Sequence, residues 1–401
     1  QDSLAPGGSP SFVSSEWPEP RFFCGARLVP WPAPGDFPVG SSGLMAGDPG
    51  GTTTGSSGSW ELLCKVTDEE LKKTKIPILF AAVTGSGEAI LTGSSRPRLQ
   101  VWRLGEGEVT HAGTLKANAA PSCIECGDQN HVAVATQNGQ IFLYDLREPQ
   151  RPSLSLPSTM AEATAVCFPN DVHLVAGGCS GKLCVWDLRQ PVVEREISPF
   201  LDLNGSKEEN GEAPSAPSKR RREEGFRDST FSTRISSLCV SHDRELLACG
   251  RDSGYVGLLR LSTFSWVTAD VQAHMRGTVR SLSFDWRSRF LLSGGDDQNV
   301  CLMDAGHWSS LSRKPCVERF LAHKRRVTSL KVSPDVRDQL VVSTSWDGLV
   351  KLWDYRTQRL LNTFDEHDQC GVYSTAFAPV DGRFFVTTGG DAKLCLFARK
   401  N

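Results

Sequence analysis

Four residues in one short span have the side-chain types that do covalent chemistry. His323, Ser343 or Ser345, and Asp347 make a serine–histidine–aspartate set, with Trp353 six residues further on. In a hydrolase such a set activates the hydroxyl: the imidazole takes its proton and the carboxylate orients the ring. The local sequence argues against that use. Asp347 lies inside Trp346-Asp347-Gly348, a tight turn in which Asp bonds its own backbone and Gly tolerates positive φ. A buried indole N–H wants an acceptor chain, and a hydroxyl, an imidazole and a carboxylate can form one. Cys123-Ile-Glu-Cys126 has metal or redox spacing, but no second pair or histidine cluster accompanies it. It reads as strand, where residues i and i+3 point to opposite faces. Lys219 to Arg222 is a run of four basic residues, flanked directly by Glu223 and Glu224, and reads as a solvated loop rather than a nuclear signal or anion site. There is no glycine loop ending in Lys-Ser/Thr, no paired-carboxylate spacing and no histidine-rich metal spacing. The expectation is a chain with no catalytic residues, no bound metal and no cofactor.

The elements that position these residues are strands. Residues 341–356, VVSTSWDGLVKLWDYR, hold two strands and a turn, the second strand closing on a heavy aromatic. The same ending recurs at Trp102, Tyr144, Trp186, Leu259, Met303, Trp353 and Phe397. Successive spacings are 42, 42, 73, 44, 50 and 44 residues. A four-stranded unit takes about 40 to 45 residues. The spacing of 73 is explained by a charged, Pro-containing tract at about 198–231, too poor in apolar residues to pack. Seven anchors predict seven units.

This pattern resembles the WD-repeat family, which implies an all-β fold, a seven-bladed β-propeller over 60–401. The resemblance implies that His323, Ser343, Asp347 and Trp353 form a structural tetrad between strands rather than a catalytic site. Blades five and seven repeat part of it with His274 and Asp297, and with His367 and Asp391, but Met303 and Phe397 cannot complete the chain. Arg96, Asn138, Ser180 and Ser253 stand at the aspartate position of blades one to four, so that half of the ring should be held by packing. In the family the outermost strand of the last blade comes from the N-terminal side, and Trp60 to Val66 is expected to supply it, since an unclosed ring leaves unpaired edges. Thr67-Asp-Glu-Glu70 has capping-box spacing and predicts a short helix over 67–73.

The family plan implies two rims. One should carry Arg276, Lys324, Arg325, Arg326, Trp346 and Tyr373, basic and aromatic residues in the composition of a partner-binding surface. The other carries Tyr-Asp-Leu-Arg147, Trp-Asp-Leu-Arg189 and Trp-Asp-Tyr-Arg356. These are similar to the WDxR motif of substrate receptors of the cullin 4 ubiquitin ligase, which implies docking on its adaptor through Arg147, Arg189 and Arg356. Arginine suits that task through its planar fork, and the same Asp and Arg can also bond within their own turn.

Composition sets the remaining expectations. The chain has 401 residues and a net charge of −2, so no global field favours nucleic acid or membrane binding. No apolar run reaches the ~20 residues of a membrane span. The first 30 residues hold no apolar signal-peptide core, and the first residue is Gln, which leaves the true N-terminus open. The 13 cysteines are scattered and read as free thiols in a reducing, cytoplasmic or nuclear compartment. Residues 1–59 are rich in Gly, Ser and Pro and are expected to be a disordered tail. The function expected is a non-enzymatic protein-interaction scaffold, with a cullin 4 substrate receptor as its sharper form. The alternative is a structural subunit of a constitutive complex.

Overall fold

The computed structural model describes residues 59–400, apart from 106–107, 128–129, 149–150, 157–159, 191, 198–233, 276 and 308–316. The expected tail, the charged tract with its basic run, and Arg276 therefore lie outside the described residues.

Seven four-stranded antiparallel sheets account for every strand described. Each anchor falls in the third strand of its sheet: Trp102 in Arg98–Leu104, Tyr144 in Ile141–Asp145, Trp186 in Leu183–Asp187, Leu259 in Tyr255–Arg260, Met303 in Asn299–Asp304, Trp353 in Val350–Asp354 and Phe397 in Lys393–Arg399. The first strands of neighbouring sheets lie against one another and close a ring around a central channel. Seven apolar clusters fill the seven gaps between blades, so every blade buries both faces against its neighbours. Trp186, on blade three, packs in the gap it shares with blade two. Phe385 and Phe397 stack at 4.8 Å in the gap between blades six and seven.

Ring closure is as expected. Trp60–Thr67 pairs antiparallel with Lys393–Arg399, with Trp60 opposite Arg399 and a register slip between Leu62 and Cys64. The Trp60 ring sits on Phe377 and Phe385, which anchors the strand in the core of the last blade. The helix is Glu69–Lys73, and its cap corrects the sequence expectation: Thr67 ends the strand and Asp68 is the N-cap. Asp68 Oδ1 accepts from the amides of Glu70 and Leu71 at 3.1 and 3.0 Å. The acidic side chain adjacent to the first turn wins over the threonine one residue earlier.

Glycines shape the polar turns at two kinds of position. Gly348 closes the Trp346-Asp347-Gly348 turn at φ +86°, where a side chain is strained. At Gly295 and Gly389, a Cβ would meet the His274 and His367 rings at 2.5 and 2.7 Å, so the strand ends are bare where an imidazole must pass.

Candidate functional site

The suspected triad is a hydrogen-bonded strut. His323 comes from the loop entering blade six, Ser343 from Leu340–Ser345, Asp347 from the next turn and Trp353 from Val350–Asp354. Trp353 Nε1 donates to Ser343 Oγ at 2.9 Å, and Ser343 Oγ lies 2.8 Å from His323 Nε2. His323 Nδ1 is 3.0 Å from Asp347 Oδ2. The consistent tautomer carries the proton on Nδ1, so the serine hydroxyl donates to Nε2 and the chain runs from indole to carboxylate. His323 and Ser343 are buried. Asp347 also accepts from the amides of Lys324 and Leu349 at 2.9 and 3.1 Å. Burial raises its pKa, but the His323 bond and these amides outweigh that and hold it at about 2. Ser345 is not the hydroxyl of the set. It bonds the Arg325 carbonyl and the Asp347 amide instead.

Blades five and seven contain three-quarters of the strut. His274 bridges Asp297 at 2.7 Å and Ser293 at 2.9 Å. His367 bridges Asp391 at 3.0 Å and Thr387 at 2.8 Å. Blade one keeps the other end, Trp102 Nε1 donating to Thr92 Oγ1 at 2.8 Å. Sequence reasoning missed Thr92, Ser293 and Thr387, although a signal was there: each stands ten residues before its anchor, as Ser343 does. Arg96, at the aspartate position of blade one, reaches back to Glu70 of the helix. Tyr144 finds its acceptor across a blade boundary, at the Lys116 carbonyl.

The rim formed by the second-to-third-strand turns and the inter-blade loops brings Arg326, Trp346 and Tyr373 together. The Arg326 guanidinium lies 3.8 Å from the Trp346 ring centroid, and Trp346 meets Tyr373 edge-on at 6.4 Å. Trp346 remains 38% exposed, beside exposed Lys324 and Arg325. Arg280 clamps Asp296 with two bonds on the adjoining blade. This is a basic ledge with one open indole.

The opposite rim holds the three WDxR arginines, and it treats them differently. Arg147 and Arg189 fork onto the aspartate two residues earlier, at 3.0 Å for Arg147 and as close as 2.7 Å for Arg189, while remaining 66% and 70% exposed. The bond from the Arg189 side chain, with that from its backbone amide, holds the Asp187 pKa at about 2. Arg356 has the same turn, its amide 2.9 Å from Asp354 Oδ1. Its guanidinium instead lies over Phe290 of blade five at 5.2 Å.

The channel adds a pair that sequence reasoning missed. The third residue after the bulge in each inner strand occupies an equivalent place; it is Glu125 in blade two, Cys167 and Cys239 in blades three and four, Ser283 in blade five and Lys331 in blade six. Glu125 and Lys331 both line a cavity of about 530 Å³ at the WDxR side of the channel. Burial pushes the Glu125 carboxyl up, against the pull of Lys331. Burial would lower Lys331, but the charge of Glu125 leads the influences that leave it raised. The signal was a lone charge in each of two otherwise uncharged or apolar inner strands. Cys123 and Cys126 face opposite blade gaps, as expected, and burial pushes the Cys123 thiol up to about 11 and the Cys126 thiol higher still. Among the described residues no group of three or more acidic, histidine or cysteine side chains is placed to hold a metal.

Comparison with known proteins agrees with this geometry. Residues 266–304 and 314–354 match the family model "WD domain, G-beta repeat". Protein hir-1 of Neurospora crassa is 31% identical over 138 residues, 31% of this chain and 13% of that protein. The human peroxisomal targeting signal 2 receptor is 31% identical over 104 residues, 24% of this chain and 32% of the receptor. Meiotic fizzy-related protein 1 of Schizosaccharomyces pombe is 26% identical over 164 residues, 40% of this chain and 36% of that protein. The matched stretches span well under half the length of each of these relatives.

Proposed function

We propose that this seven-bladed WD-repeat β-propeller is a non-enzymatic scaffold that gathers protein partners on its two rims. The observation that carries the reading is where the reactive side chains go. Among the described residues, every buried histidine with an acidic partner is tied, through a hydroxyl, into the frame between strands. The open indole and the exposed basic residues sit instead on the outside. These imidazoles are buried out of a substrate's reach, whereas a partly exposed Trp backed by Arg has hot-spot composition. One relative is by name a receptor for a targeting signal, which favours the same use of the fold. No helix among the described residues is long and apolar enough to cross a membrane. None of the described cysteines is in a disulfide, which fits a reducing cytoplasmic or nuclear setting.

The finer reading is a substrate receptor of a cullin 4 ubiquitin ligase. Arg147 and Arg189 support it. They lie on consecutive blades, point out from identical turns, and are held in one pose by their own aspartates while most of each side chain is exposed. Such preorganisation lowers the entropy lost on docking. In this reading substrate is taken on the Arg325–Trp346 rim. A permanent subunit of a constitutive complex is the rival. The test is affinity purification of wild type beside Arg147→Ala/Arg189→Ala and Trp346→Ala. Adaptor captured by wild type and lost from the arginine variant alone supports the receptor. Adaptor absent from both, with other proteins recovered in fixed ratio, replaces it with the constitutive subunit.

A further inference from the structure

On the WDxR side, blades five and six share an arginine–aromatic patch. Its floor is the turn between Val279–Phe284 and Phe290–Gly295. Asp285, buried in that turn, accepts from the amides of Arg289 and Phe290 at 2.7 Å each through Oδ1, while its Oδ2 has no partner. Phe290 is flanked by two guanidinium groups, Arg289 at 5.1 Å and Arg356 at 5.2 Å from its ring centroid. Arg287 lies over Trp286 at 4.5 Å. Tyr355 is buried beside them, with burial and then the Asp285 charge pushing its phenol up to about 12.

Arg356 is thus positioned over the Phe290 ring, not by the fork that ties down Arg147 and Arg189. A guanidinium stacked on a ring keeps its N–H edge directed outward and has already lost part of its hydration. Arg287 and Arg356 are in no ion pair among the described residues, and Arg289 shares only Asp304, at 3.1 Å. Three exposed arginines therefore stand around two aromatic rings, and the acids beside them are engaged within the fold: Asp285 with two amides, Asp304 with Arg289 and Asp354 with the Arg356 amide.

We propose that this patch is a docking site for an acidic polypeptide segment, whose carboxylates take the outward edges of Arg287 and Arg356, with the charge of Arg289, itself bonded to Asp304, beside them. Paired carboxylate oxygens match the planar fork, and the rings beneath accept the aliphatic stems of Glu or Asp. A polypeptide is favoured over nucleic acid because the chain's net charge of −2 gives no field to draw a polyphosphate, and the patch is local. The site is separate from the Arg147/Arg189 pair, so it stands whether or not an adaptor docks there.

The test is fluorescence anisotropy of a labelled Glu/Asp-rich peptide with the full chain. Arg289→Ala/Arg356→Ala should weaken binding by at least about tenfold, since removing even one charge-assisted hydrogen bond has an effect of that order. Arg289→Lys/Arg356→Lys keeps the charge and loses the stacked fork, and should also weaken it severalfold. Arg103→Glu, on blade one, should leave it unchanged. The proposal fails if the alanine pair, folded by its melting curve, binds as wild type does. It also fails if the lysine pair retains full affinity, if Arg103→Glu abolishes binding, or if a single-stranded oligonucleotide binds more tightly than the peptide.

Discussion

Replacing Asp347 by alanine separates a frame from an active site. The side chain is 6% exposed and accepts three bonds, from His323 Nδ1, the Lys324 amide and the Leu349 amide. A net hydrogen bond contributes about 1 kcal/mol, and a buried donor left without a partner costs about 1–3 kcal/mol more. His323 is fully buried, so its Nδ1–H would be that orphan. Lys324 is exposed, and water can replace its bond. With two bonds lost and one donor orphaned, the sum is a loss of about 3–5 kcal/mol, read as a fall in urea midpoint at unchanged m-value. The pH dependence adds a second check. Asp347 is held at about 2, below its ordinary value of 3.8, so its contribution is fully present above about pH 4 and is lost as pH falls toward 2. The stability gap between wild type and Asp347→Ala should therefore narrow over that window. Asp347→Asn should lie between them, because its amide retains one acceptor but turns a donor toward a backbone N–H. A catalytic aspartate would give the opposite pattern: a variant as stable as wild type that has lost an esterase or amidase activity. Equal urea midpoints for wild type and Asp347→Ala would refute the strut.

A chain starting at Leu71 lacks the strand Trp60–Thr67 and leaves the edge Lys393–Arg399 unpaired, so it should melt well below one starting at Ser57; equal melting temperatures would refute the closure. Lys331→Met removes the cation that shares the channel cavity with Glu125 and should destabilise at neutral pH, where the Glu125 carboxylate loses that favourable charge. Because Glu125 is raised in the folded state, folding binds its proton more tightly and stability falls as pH rises past about 4.5. The variant should be closest to wild type near pH 4, and a gap independent of pH would show that the two groups are uncoupled.

Fold and blade count were legible because each blade solves the same packing problem locally. The third strand must end on a large side chain that fills an inter-blade gap, and that repeats whether the residue is Trp102, Leu259 or Phe397. The strut of blade six was legible for the same reason, all four members being present at the family's spacing. What escaped depends on neighbours distant in sequence. Arg356 shares its turn with Arg147 and Arg189, and nothing local announces that Phe290, 66 residues earlier, will draw its guanidinium away. Glu125 and Lys331 lie 206 residues apart and meet only because the ring brings blades two and six to one channel. The helix cap failed for a smaller reason: two adjacent residues could both cap, and strand pairing claimed the first.

The polar frame and the open surface of blade six are one piece of structure. Asp347 binds the Lys324 amide, which fixes the loop carrying Lys324, Arg325 and Arg326. Its turn, closed by Gly348, fixes Trp346 under the Arg326 guanidinium. Ser345 ties the same loop to the same turn through the Arg325 carbonyl. A rim built on loops would ordinarily lose entropy on binding, and here a buried carboxylate below its ordinary pKa has already ordered it. Blades two to four have Asn138, Ser180 and Ser253 at that position. None of these is a carboxylate, which gives a physical reason for the ordered basic–aromatic ledge to lie on blade six and its neighbours.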